Sequence, residues 1–575
     1  MKRIAIIGGG IAGLTAAYEL ARLAREGEQV EAVLFESSNR LGGLIETVRE
    51  GGFTIEAGPD GWVSAKPWAR ELAIELGLES ELIPSNDDTR KTHIFLTTPE
   101  NPSGRLVPMP DGLNLMVPTN LAALDHSPLF TETALAAYRA EPARAAELLA
   151  SIPAADESVA DFTLRHFGRE VLDRVAAPLL SGVFGGDVRT LSVRAVMPAF
   201  VQMERQHGSL IKALASQPPP SSLQPATIFT TLRSGLGTLI DRLVAAIPPQ
   251  SLRLNTTVIA IQPNSHLADG TDSPPWTVHT STTGKHRGSE TFDAIFLATP
   301  LDAARRLLAP IDATAAELLP TESSSAVLVA FVYSDATRIP LPPGFGFLVP
   351  PGLAEDQSSV ISTTPGSGKG SVISTTPASG KGSVISTTPA SGKGSVISTT
   401  PASGKGSVIS TGAEGEVERP PHFAFGSSTP ATAPSLLLAC TFADQKFPHR
   451  VPPNGRLIRA FFGGAAADRI ARCNNDEIAA IARLELARIL NANAPVSGPA
   501  PTPAPPPALT VVRRWPNSLP QYAVGHPARV AELQSRLAAL PSLTILGNAL
   551  HGVGLPDLIR DARAAARTIA VGGSS

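Results

Sequence analysis

Cysteine and charge are both scarce in this chain. Its 575 residues contain only two cysteines, Cys440 and Cys473, with neither a CxxC spacing nor a histidine cluster beside them. This excludes a disulfide framework, a thiolate zinc site and cysteinyl iron–sulfur ligation. A reducing compartment is favoured, and we expect a cytoplasmic protein. Charged residues make up 17% of the chain, and the net charge of −3 offers no basic field for nucleic acid.

Long apolar runs are also missing. No stretch of about 18 uncharged apolar residues occurs, so a membrane-spanning helix is not expected and any membrane contact would be peripheral. No strongly basic face supports such a contact. The apolar residues 4–17 follow two basic residues as in a signal peptide, but their four glycines and the lack of a small-x-small cleavage site argue against secretion.

Proline and glycine, by contrast, are abundant, with 53 and 49 residues respectively. Part of this excess lies in a tandem repeat, in which Ser-Val-Ile-Ser-Thr recurs from residues 359, 371, 383, 395 and 407 with a period of 12. Such a unit, with only valine and isoleucine as sizeable apolar residues, buries too little for a solenoid. We interpret it as a mobile surface excursion at a hairpin connection. Residues 495–507 (PVSGPAPTPAPPP) are predicted to form a polyproline II spacer.

The N-terminal residues have the pattern of a strand–helix–strand unit. Residues 3–7 are typical of a buried parallel strand, a helix begins after a glycine-rich turn, and residues 30–36 form a second strand. In the turn, Gly8 permits a tight bend, Gly10 lets the backbone approach a pyrophosphate, and Gly13 allows the helix to pack closely on the strand. The N–H groups that begin the helix favour an anion there.

Glu36 ends the second strand, 23 residues after Gly13, where its carboxylate can accept hydrogen bonds from ribose hydroxyls. A glycine-rich turn without a ligand would leave this acid unexplained, so dinucleotide binding is predicted. Residues 37–43 (SSNRLGG) then provide a basic residue and paired glycines that suit a second loop over the pyrophosphate, which favours FAD over NAD. Residues 55–61 (IEAGPDG) form a further turn that either contacts the flavin or is an ordinary Gly-Pro turn.

Three other segments have a regular apolar pattern. Residues 161–180 carry apolar residues at helical spacing and predict one core-facing amphipathic helix, which the glycines of residues 181–187 would end. This glycine segment is either a tight turn between helices or part of a substrate cavity. Residues 252–262 and 292–300 each predict a strand.

The segments GGGIAGL, FESSNRLGGL and EAGPDGW resemble those of the FAD-dependent amine oxidase and protoporphyrinogen oxidase superfamily. Seven later segments narrow the resemblance to the oxygen-dependent protoporphyrinogen or coproporphyrinogen III oxidases of haem synthesis. They are SVADFTLRHFGREVLDRVAAPLLSGVFGGD (158–187), HGSLIKAL (207–214), FTTLRSGLGTLIDRL (229–243), GFGFLVP (344–350), LLACTFADQKFPHR (437–450), RRWPNSLPQYAVGH (513–526) and GNALHGVGLPDLIRDA (547–562). The resemblance covers nearly the whole chain except residues 351–436 and 494–508.

This resemblance implies an α/β fold. A Rossmann-like FAD-binding domain would be assembled from discontinuous segments and joined by a mixed α+β substrate domain and a helical domain. The implied boundaries are 1–88, 228–300 and 508–575 for the FAD-binding domain, 89–112 and 301–507 for the substrate domain, and 113–227 for the helical domain. The low-complexity repeat insert (351–436) and the proline-rich insert (494–508) belong to the substrate domain.

The glycine-rich turn, the two loops that follow it and the resemblance together imply an FAD site. In the family, the residue corresponding to Val258 contacts the adenine through its backbone, and Asn548 stands where many relatives place an acid on the ribityl chain. The last helix, opened by residues 552–557, would stabilise the negative charge of the reduced flavin pyrimidine. The implied cofactor-binding residues are Gly8, Gly9, Gly10, Ile11, Ala12, Gly13, Glu36, Ser37, Arg40, Gly42, Gly43, Gly58, Pro59, Asp60, Gly61, Val258, Asn548, Val553, Gly554 and Leu555. No metal site is implied.

By resemblance, the reaction is oxidation of a porphyrinogen in three two-electron steps, with O₂ as the acceptor and H₂O₂ as a product. The flavin would carry the chemistry, so no side chain receives a catalytic role, and His551 is interpreted as structural or solvent-facing. Arg90 and Lys91 lie near the position where relatives bind a propionate, although solvated surface charge explains them equally well. A transfer partner in haem synthesis is left open.

Two other functions stay open at this point. An amine oxidase or carotenoid desaturase-like enzyme would share the N-terminal motifs but not GNALHGVGLPD and TFADQKFPHR. A non-enzymatic binding protein on the same scaffold, like lipid-chaperone relatives that lost FAD, is disfavoured because FAD motifs are intact at both ends of the chain. Coproporphyrinogen III and protoporphyrinogen IX differ only in propionate versus vinyl at two positions, and the sequence does not separate them.

Overall fold

In the computed structural model of the protein, the described residues are 1–216, 227–264, 275–282, 287–350, 435–491, 504–540 and 542–571, with five short strands between residues 361 and 412. No helix in these ranges is long and apolar enough to cross a membrane. Residues 495–503 of the predicted polyproline spacer lie outside the described residues.

A five-stranded parallel sheet forms the centre of the first part of the fold. Its strands are mostly apolar because both faces are covered, on one side by three helices and on the other by helices and a second sheet. This parallel arrangement confirms the α/β class. In spatial order the strands are Leu252–Arg253, Val30–Phe35, Lys2–Ile7, Ala294–Leu297 and Leu543–Ile545. The helices Ile11–Arg25, Gly237–Ala246 and Leu555–Val571 cover one face, and Leu301–Leu308, Ala313–Leu318 and His526–Ala538 pack at the other.

The second sheet has three antiparallel strands, Thr256–Pro263, Trp276–Thr282 and Arg287–Phe292. It corrects the prediction of a single strand over residues 252–262. Asn255 has a φ of +52°, in the left-handed region, and this residue divides the segment between the parallel sheet and an edge strand of the antiparallel sheet.

A mixed seven-stranded sheet forms the core of the rest of the chain. Its spatial order is Leu509–Pro520, Ser323–Tyr333, Arg456–Gly463, Ala439–Phe442, Gly346–Leu348, Thr92–Thr98 and Asn101–Pro108. Gly346–Leu348 and Ala439–Phe442 are antiparallel neighbours, which confirms that the repeat is inserted at a hairpin connection. Apart from the repeat, the helical region and short 3-10 turns, the described residues also form the helices Trp68–Glu75, Ala443–Lys446, Gly464–Ile470 and Asn475–Asn491 and the strands Thr47–Glu50, Phe53–Glu56, Trp62–Val63, Leu82–Pro84, Leu113–Asn114, Val117–Pro118 and Phe229–Leu232.

The repeat contributes one short strand per copy. The strands pair in the order first, third, second, fourth and fifth copy, with both parallel and antiparallel pairs. A solenoid would stack successive copies side by side, so this order is not that of a solenoid. Mobility of the segment stays a prediction. The strands are Ile361–Thr363, Val372–Thr375, Ile385–Thr388, Gly394–Thr399 and Ser407–Gly412.

Along the chain, a helical region with its own core lies between the strands Val30–Phe35 and Leu252–Arg253 of the parallel sheet. Here the predicted continuous helix over residues 161–180 is wrong. Gly168, with a φ of +82°, ends one helix, and a second helical stretch continues through residues 181–184 until Gly185. Leu164, one of the apolar residues of this predicted core-facing helix, is 39% exposed. The helices are Glu132–Ala140, Ala145–Ala150, Val159–Phe167, Arg169–Val171, the π-helix Leu172–Ala176, Ala177–Phe184, Val193–Val196, Pro198–His207 and Leu210–Ala215.

Candidate cofactor site

The glycine-rich turn between the first strand and the first helix is packed too tightly for side chains at two positions. A Cβ on Gly8, whose φ is +112°, would lie 2.3 Å from the carbonyl oxygen of Ala298, and one on Gly13 would lie 2.0 Å from the carbonyl oxygen of Gly8. The turn itself is held by the Gly8 N–H, which donates to the Phe35 carbonyl at 2.8 Å. These contacts bear out the expected packing of the helix on the strand.

Gly10 is different, because a Cβ there would meet no described atom within 4 Å. It immediately precedes the helix Ile11–Arg25, which has neither a side-chain cap on its N-terminus nor an acid in its first turn. The first N–H groups of a helix lack partners inside the helix and carry a partial positive charge. Open space beside an uncapped N-terminus fits the pyrophosphate of a dinucleotide. Ile11 and Ala12, in that first turn, are buried.

Glu36 joins the glycine-rich turn to the next loop. Its Oε2 accepts the Gly9 N–H at 2.8 Å, and its Oε1 accepts the Ser38 N–H at 2.8 Å. The Ser37 hydroxyl lies 3.4 Å from the same Oε1. The carboxylate is therefore fixed at the end of the second strand, half-buried and beside the uncapped helix, where a ribose would reach it.

The second loop, residues 37–43 with the two residues that follow it, folds directly onto the glycine-rich turn. The Gly42 N–H donates to the Gly9 carbonyl at 2.8 Å, and a Cβ on Gly43 would lie 3.1 Å from the Gly10 Cα. The Arg40 guanidinium donates to the carbonyls of Ile45, at 2.8 Å, and Gly43. Arg40 thus holds the shape of its own loop, and its backbone segment lies against the place expected for the pyrophosphate.

The 58–61 turn packs behind this second loop. A Cβ on Gly58 would lie 1.9 Å from the Leu44 carbonyl oxygen, and one on Gly61 would lie 2.7 Å from the Thr230 carbonyl oxygen. The Ala57 N–H donates to the Glu46 carbonyl at 2.9 Å. Residues 59 and 60 of the turn are half-buried. The glycine-rich turn, the second loop and the 58–61 turn are consequently three layers in continuous contact.

Five charged side chains meet behind the 58–61 turn, and we call them the charge cluster. Glu56 and Asp60 come from the segment of the turn, whereas Lys446, Arg450 and Arg459 come from the part of the chain that forms the seven-stranded sheet. Lys446 Nζ lies 3.1 Å from Asp60 Oδ1, Arg459 Nη1 lies 3.0 Å from Asp60 Oδ2, and Arg450 Nη1 lies 2.8 Å from Glu56 Oε1. Sequence reasoning missed this cluster, although Lys446 and Arg450 are two cations four residues apart in the motif at residues 437–450.

The cluster keeps Asp60 ionised. Burial alone would raise the pKa of Asp60, but Lys446, Arg459 and Arg450 outweigh burial and hold this pKa well below its usual range. Burial lowers the pKa of the Lys446 ammonium, and the nearby Asp60 only partly opposes that shift. The Asp60 carboxylate is therefore occupied by cations of its own chain.

Val258 lies on the edge strand of the three-stranded sheet, with its side chain buried. This strand starts beside the ribose-binding candidate, because the Thr256 N–H donates to the Glu36 carbonyl at 2.9 Å. The backbone near Val258 is irregular, with a register shift between Val258 and Ala260. An edge strand next to Glu36 has unpaired main-chain groups on one side, as the expected adenine contact requires.

The motif at residues 547–562 also lies at the start of a helix. Asn548 donates from Nδ2 to the Ser518 carbonyl at 2.9 Å, and its own carbonyl accepts from the Tyr522 hydroxyl at 2.6 Å. The last helix, Leu555–Val571, begins just after Val553 and Gly554. Lys66 Nζ lies 2.6 Å from the Asp557 Oδ2 in the first turn of this helix. That ion pair connects the segment following the 58–61 turn with the end of the chain.

The two cations that were expected to bind the substrate propionates lie outside the turns and loops described above. Arg90 and Lys91 are both exposed at the start of the strand Thr92–Thr98. The Lys91 carbonyl accepts the Phe345 N–H at 2.7 Å, which puts both residues at the edge of GFGFLVP. His551 is exposed, with Nε2 at 3.1 Å from Gln534 Nε2, which agrees with its interpretation as solvent-facing.

The family of the chain can be decided by comparison. The model of the flavin-containing amine oxidoreductases matches residues 11–393 and 406–570. The chain belongs to this family. It is a flavin-containing oxidoreductase, and its cofactor is FAD.

Two bacterial relatives extend over nearly the whole chain. The coproporphyrinogen III oxidase of Bacillus subtilis (strain 168) is 28% identical over 571 residues, which cover 98% of this chain and 97% of the relative. That of Staphylococcus aureus (strain NCTC 8325 / PS 47) is 24% identical over 581 residues and 99% of each chain. Protoporphyrinogen oxidase 2 of Arabidopsis thaliana is 25% identical over 316 residues, which cover 52% of this chain and 58% of the plant protein.

Solved structures agree with this family. One is a crystal structure of a provisionally described protoporphyrinogen oxidase from Exiguobacterium sp. 255-15, which is 25% identical to this chain with a TM-score of 0.68. The match covers 99% of this chain and 99% of that one. Cyclohexylamine oxidase from Brevibacterium oxydans IH-35A is 16% identical with a TM-score of 0.56, and it shows the shared fold alone.

Proposed function

We propose that this flavoprotein oxidises a porphyrinogen to the porphyrin in haem biosynthesis, with O₂ as the acceptor and coproporphyrinogen III as the preferred substrate. The observation that carries this proposal is the extent of the match. Coproporphyrinogen III oxidases align with 98% and 99% of this chain, whereas the plant protoporphyrinogen oxidase aligns with 52%.

The residues that bind FAD in this proposal are those named from the sequence. Gly10 and the first N–H groups of the helix Ile11–Arg25 would hold the pyrophosphate, Glu36 the ribose hydroxyls, and the backbone of Val258 the adenine. The start of the last helix, at Leu555, would direct N–H groups at the flavin pyrimidine. When bound, FAD supplies the hydride acceptor and the centre that reacts with O₂.

The protein contributes the surface on which the cofactor would bind. Gly42 and Gly43 keep the second loop close to Gly10, and residues 58–61 extend that surface. Since the Asp60 carboxylate is held by Lys446 and Arg459, the turn would contact the cofactor through its main chain. The other loop residues proposed as cofactor contacts are Gly8, Gly9, Ala12, Gly13, Ser37, Arg40, Gly58, Pro59, Gly61, Asn548, Val553 and Gly554.

The propionates of the porphyrinogen would lie near Arg90 and Lys91. The proposed boundaries are 1–88, 228–300 and 508–575 for the FAD-binding domain, with 113–227 as the helical domain.

Changing Arg90 and Lys91 together to alanine should raise KM for the porphyrinogen and leave FAD content intact. Unchanged kinetics would remove both residues from the site.

The reaction class is tested on the purified protein. It should show the visible absorption bands of bound flavin, which bleach when a porphyrinogen is added without oxygen and return with air. Amines should leave the bands unchanged, and kcat/KM should be higher for coproporphyrinogen III than for protoporphyrinogen IX. Protein without flavin, or flavin that amines bleach and porphyrinogens do not, would overturn the proposal.

A further inference from the structure

The charge cluster holds the main chain of the 58–61 turn as well as its carboxylates. Arg459 donates to the Gly58 carbonyl, and Arg450 donates from Nη2 to the Asp60 carbonyl at 3.0 Å. Arg450 Nη2 also donates to the Thr231 hydroxyl at 2.6 Å, and Thr231 lies on the strand that contacts Gly61. Cations from the substrate part of the chain thus fix both ends of a turn that belongs to the FAD-binding part.

This cluster carries an excess of positive charge in a buried place. Three cations face two carboxylates, and the exposed fractions of Arg450, Arg459 and Lys446 are 1%, 3% and 8%. Two of the guanidinium Nε atoms, on Arg450 and Arg459, have no hydrogen-bond acceptor among the described residues. Part of the positive charge is therefore not neutralised by a direct partner.

Two neighbouring acids, Asp444 and Glu46, do not cancel this excess, because each has a cation of its own. Asp444 Oδ2 lies 2.7 Å from Arg456 Nη1, and Glu46 pairs with Arg513. Besides its contact with Asp60, Lys446 lies over the ring of Phe229, with Nζ 4.1 Å from the centroid of that ring. Apolar and aromatic surroundings lower the local dielectric constant, so the net charge acts over a longer distance than it would in water.

We propose that Lys446, Arg450 and Arg459 are positioning residues that raise the reduction potential of the flavin through the 58–61 turn. The proposal rests on the placement of FAD against this turn in the proposed function. Reduction adds negative charge to a flavin, and a fixed positive charge nearby stabilises the reduced form more than the oxidised form. The turn transmits this effect because the cations hold its carbonyls and keep it in contact with the second loop.

Lys446 is the best position for a test, because its charge can be removed or kept at similar length. K446M leaves two cations against two carboxylates, whereas K446R keeps the charge. We expect K446M to shift the equilibrium about tenfold toward oxidised flavin, which is about 30 mV for a two-electron couple. K446R should remain near the wild-type potential, and D60N, which leaves three cations against one carboxylate, should shift it upward.

The measurement is the midpoint potential of the purified FAD-containing protein, taken by anaerobic reduction against a reference dye. R139M is the matched control, since Arg139 is 47% exposed in its side chain and pairs with Asp125 and Glu132 in the helical region. It removes one cation from the chain and should leave the potential unchanged. The comparison of K446M with K446R decides the question even where D60N does not fold.

Opposite shifts in K446M and D60N, with K446R and R139M near wild type, would support the proposal. Equal potentials in K446M and K446R, or shifts of the same sign in K446M and D60N, would overturn it and reduce the cluster to a structural clamp. No porphyrinogen enters this measurement. A flavoprotein with the expected potentials that fails to oxidise porphyrinogens would therefore overturn the proposed function and leave this inference standing.

Discussion

The Lys66 ammonium lies 2.6 Å from the Asp557 carboxylate, and this ion pair joins the segment after the 58–61 turn to the start of the last helix. The side chain of Asp557 is only 6% exposed, whereas that of Lys66 is 47% exposed. The two partners therefore differ in what their removal leaves behind. Loss of the lysine leaves a buried carboxylate, and loss of the acid leaves a lysine that water can reach.

We expect K66M to destabilise the protein by about 1–3 kcal/mol, because among the described residues Asp557 then keeps only Arg560 and the helix N-terminus as partners. D557N should cost less, since the amide can still accept a hydrogen bond and carries no charge. The double variant should resemble D557N rather than the sum of both. Free energies of unfolding from denaturant titrations test this cycle, and simple additivity would show that the pair has no coupling.

Two glycines of the same turn should respond differently to alanine. A Cβ on Gly13 would lie 2.0 Å from the Gly8 carbonyl oxygen, so G13A must displace backbone and should cost about 1–3 kcal/mol or more. Gly10 has a φ of −71° that alanine adopts freely, and a Cβ there meets only open space. G10A should keep the stability of the apoprotein and lose FAD affinity.

The measurements are the flavin content of the purified variants and the thermal unfolding of their apoproteins. G10A with wild-type FAD affinity would mean that the dinucleotide does not pass over Gly10. In that case the open space beside the helix Ile11–Arg25 would need another explanation.

Local patterns account for what could be predicted of the site. The strand, glycines and helix of residues 3–25 lie within one short stretch, and Glu36 follows at a spacing that the unit itself sets. The charge cluster was not predictable in this way, because Lys446 and Asp60 are 386 residues apart and meet only in the folded chain. Helical spacing also continues across Gly168, since the helices on both sides pack on one core. The helix break at Gly168 depends on the positive φ of that one residue, which the spacing of the apolar residues does not reveal.

Acid should weaken the contact between the first and last helices. Glu19 is fully buried on the first helix and binds Arg567 Nε at 2.7 Å and Arg563 Nε at 3.0 Å on the last one. Burial alone would raise the pKa of Glu19, but the hydrogen bonds from Arg22 and Arg567 outweigh it and lower this pKa. Its stabilising effect is therefore full above the unfolded pKa of about 4.3 and is lost as pH falls below that value.

E19Q should be less stable than wild type at neutral pH by about 1–3 kcal/mol, and this difference should shrink as pH falls below about 4. E26Q is the matched control, because Glu26 lies on the same helical segment and is 54% exposed. Its unfolding free energy should follow that of the wild type at every pH. Equal acid sensitivity of E19Q and wild type would show that Glu19 does not set the acid limit.

Removal of the repeat should leave the enzyme intact. Leu348 is paired with Ala439, and the Val349 N–H donates to the Leu438 carbonyl at 3.0 Å, so the two strands are already in register where the insert begins and ends. A two-residue Asn-Gly turn in place of residues 350–437 suits such a hairpin. This design also removes residues 435–437, two of which are buried apolar residues, so a milder deletion of residues 352–434 with a short glycine linker is its control.

The milder deletion should keep the flavin content and kcat/KM of the full chain, with unfolding free energy changed by less than about 1 kcal/mol, because the cost of closing a loop grows only slowly with its length. The Asn-Gly variant should lose more stability, since Leu436 and Leu437 pack in the core of the seven-stranded sheet. A milder deletion that folds and binds FAD but loses porphyrinogen turnover would instead show that the repeat takes part in handling the substrate, which the hairpin geometry alone does not require.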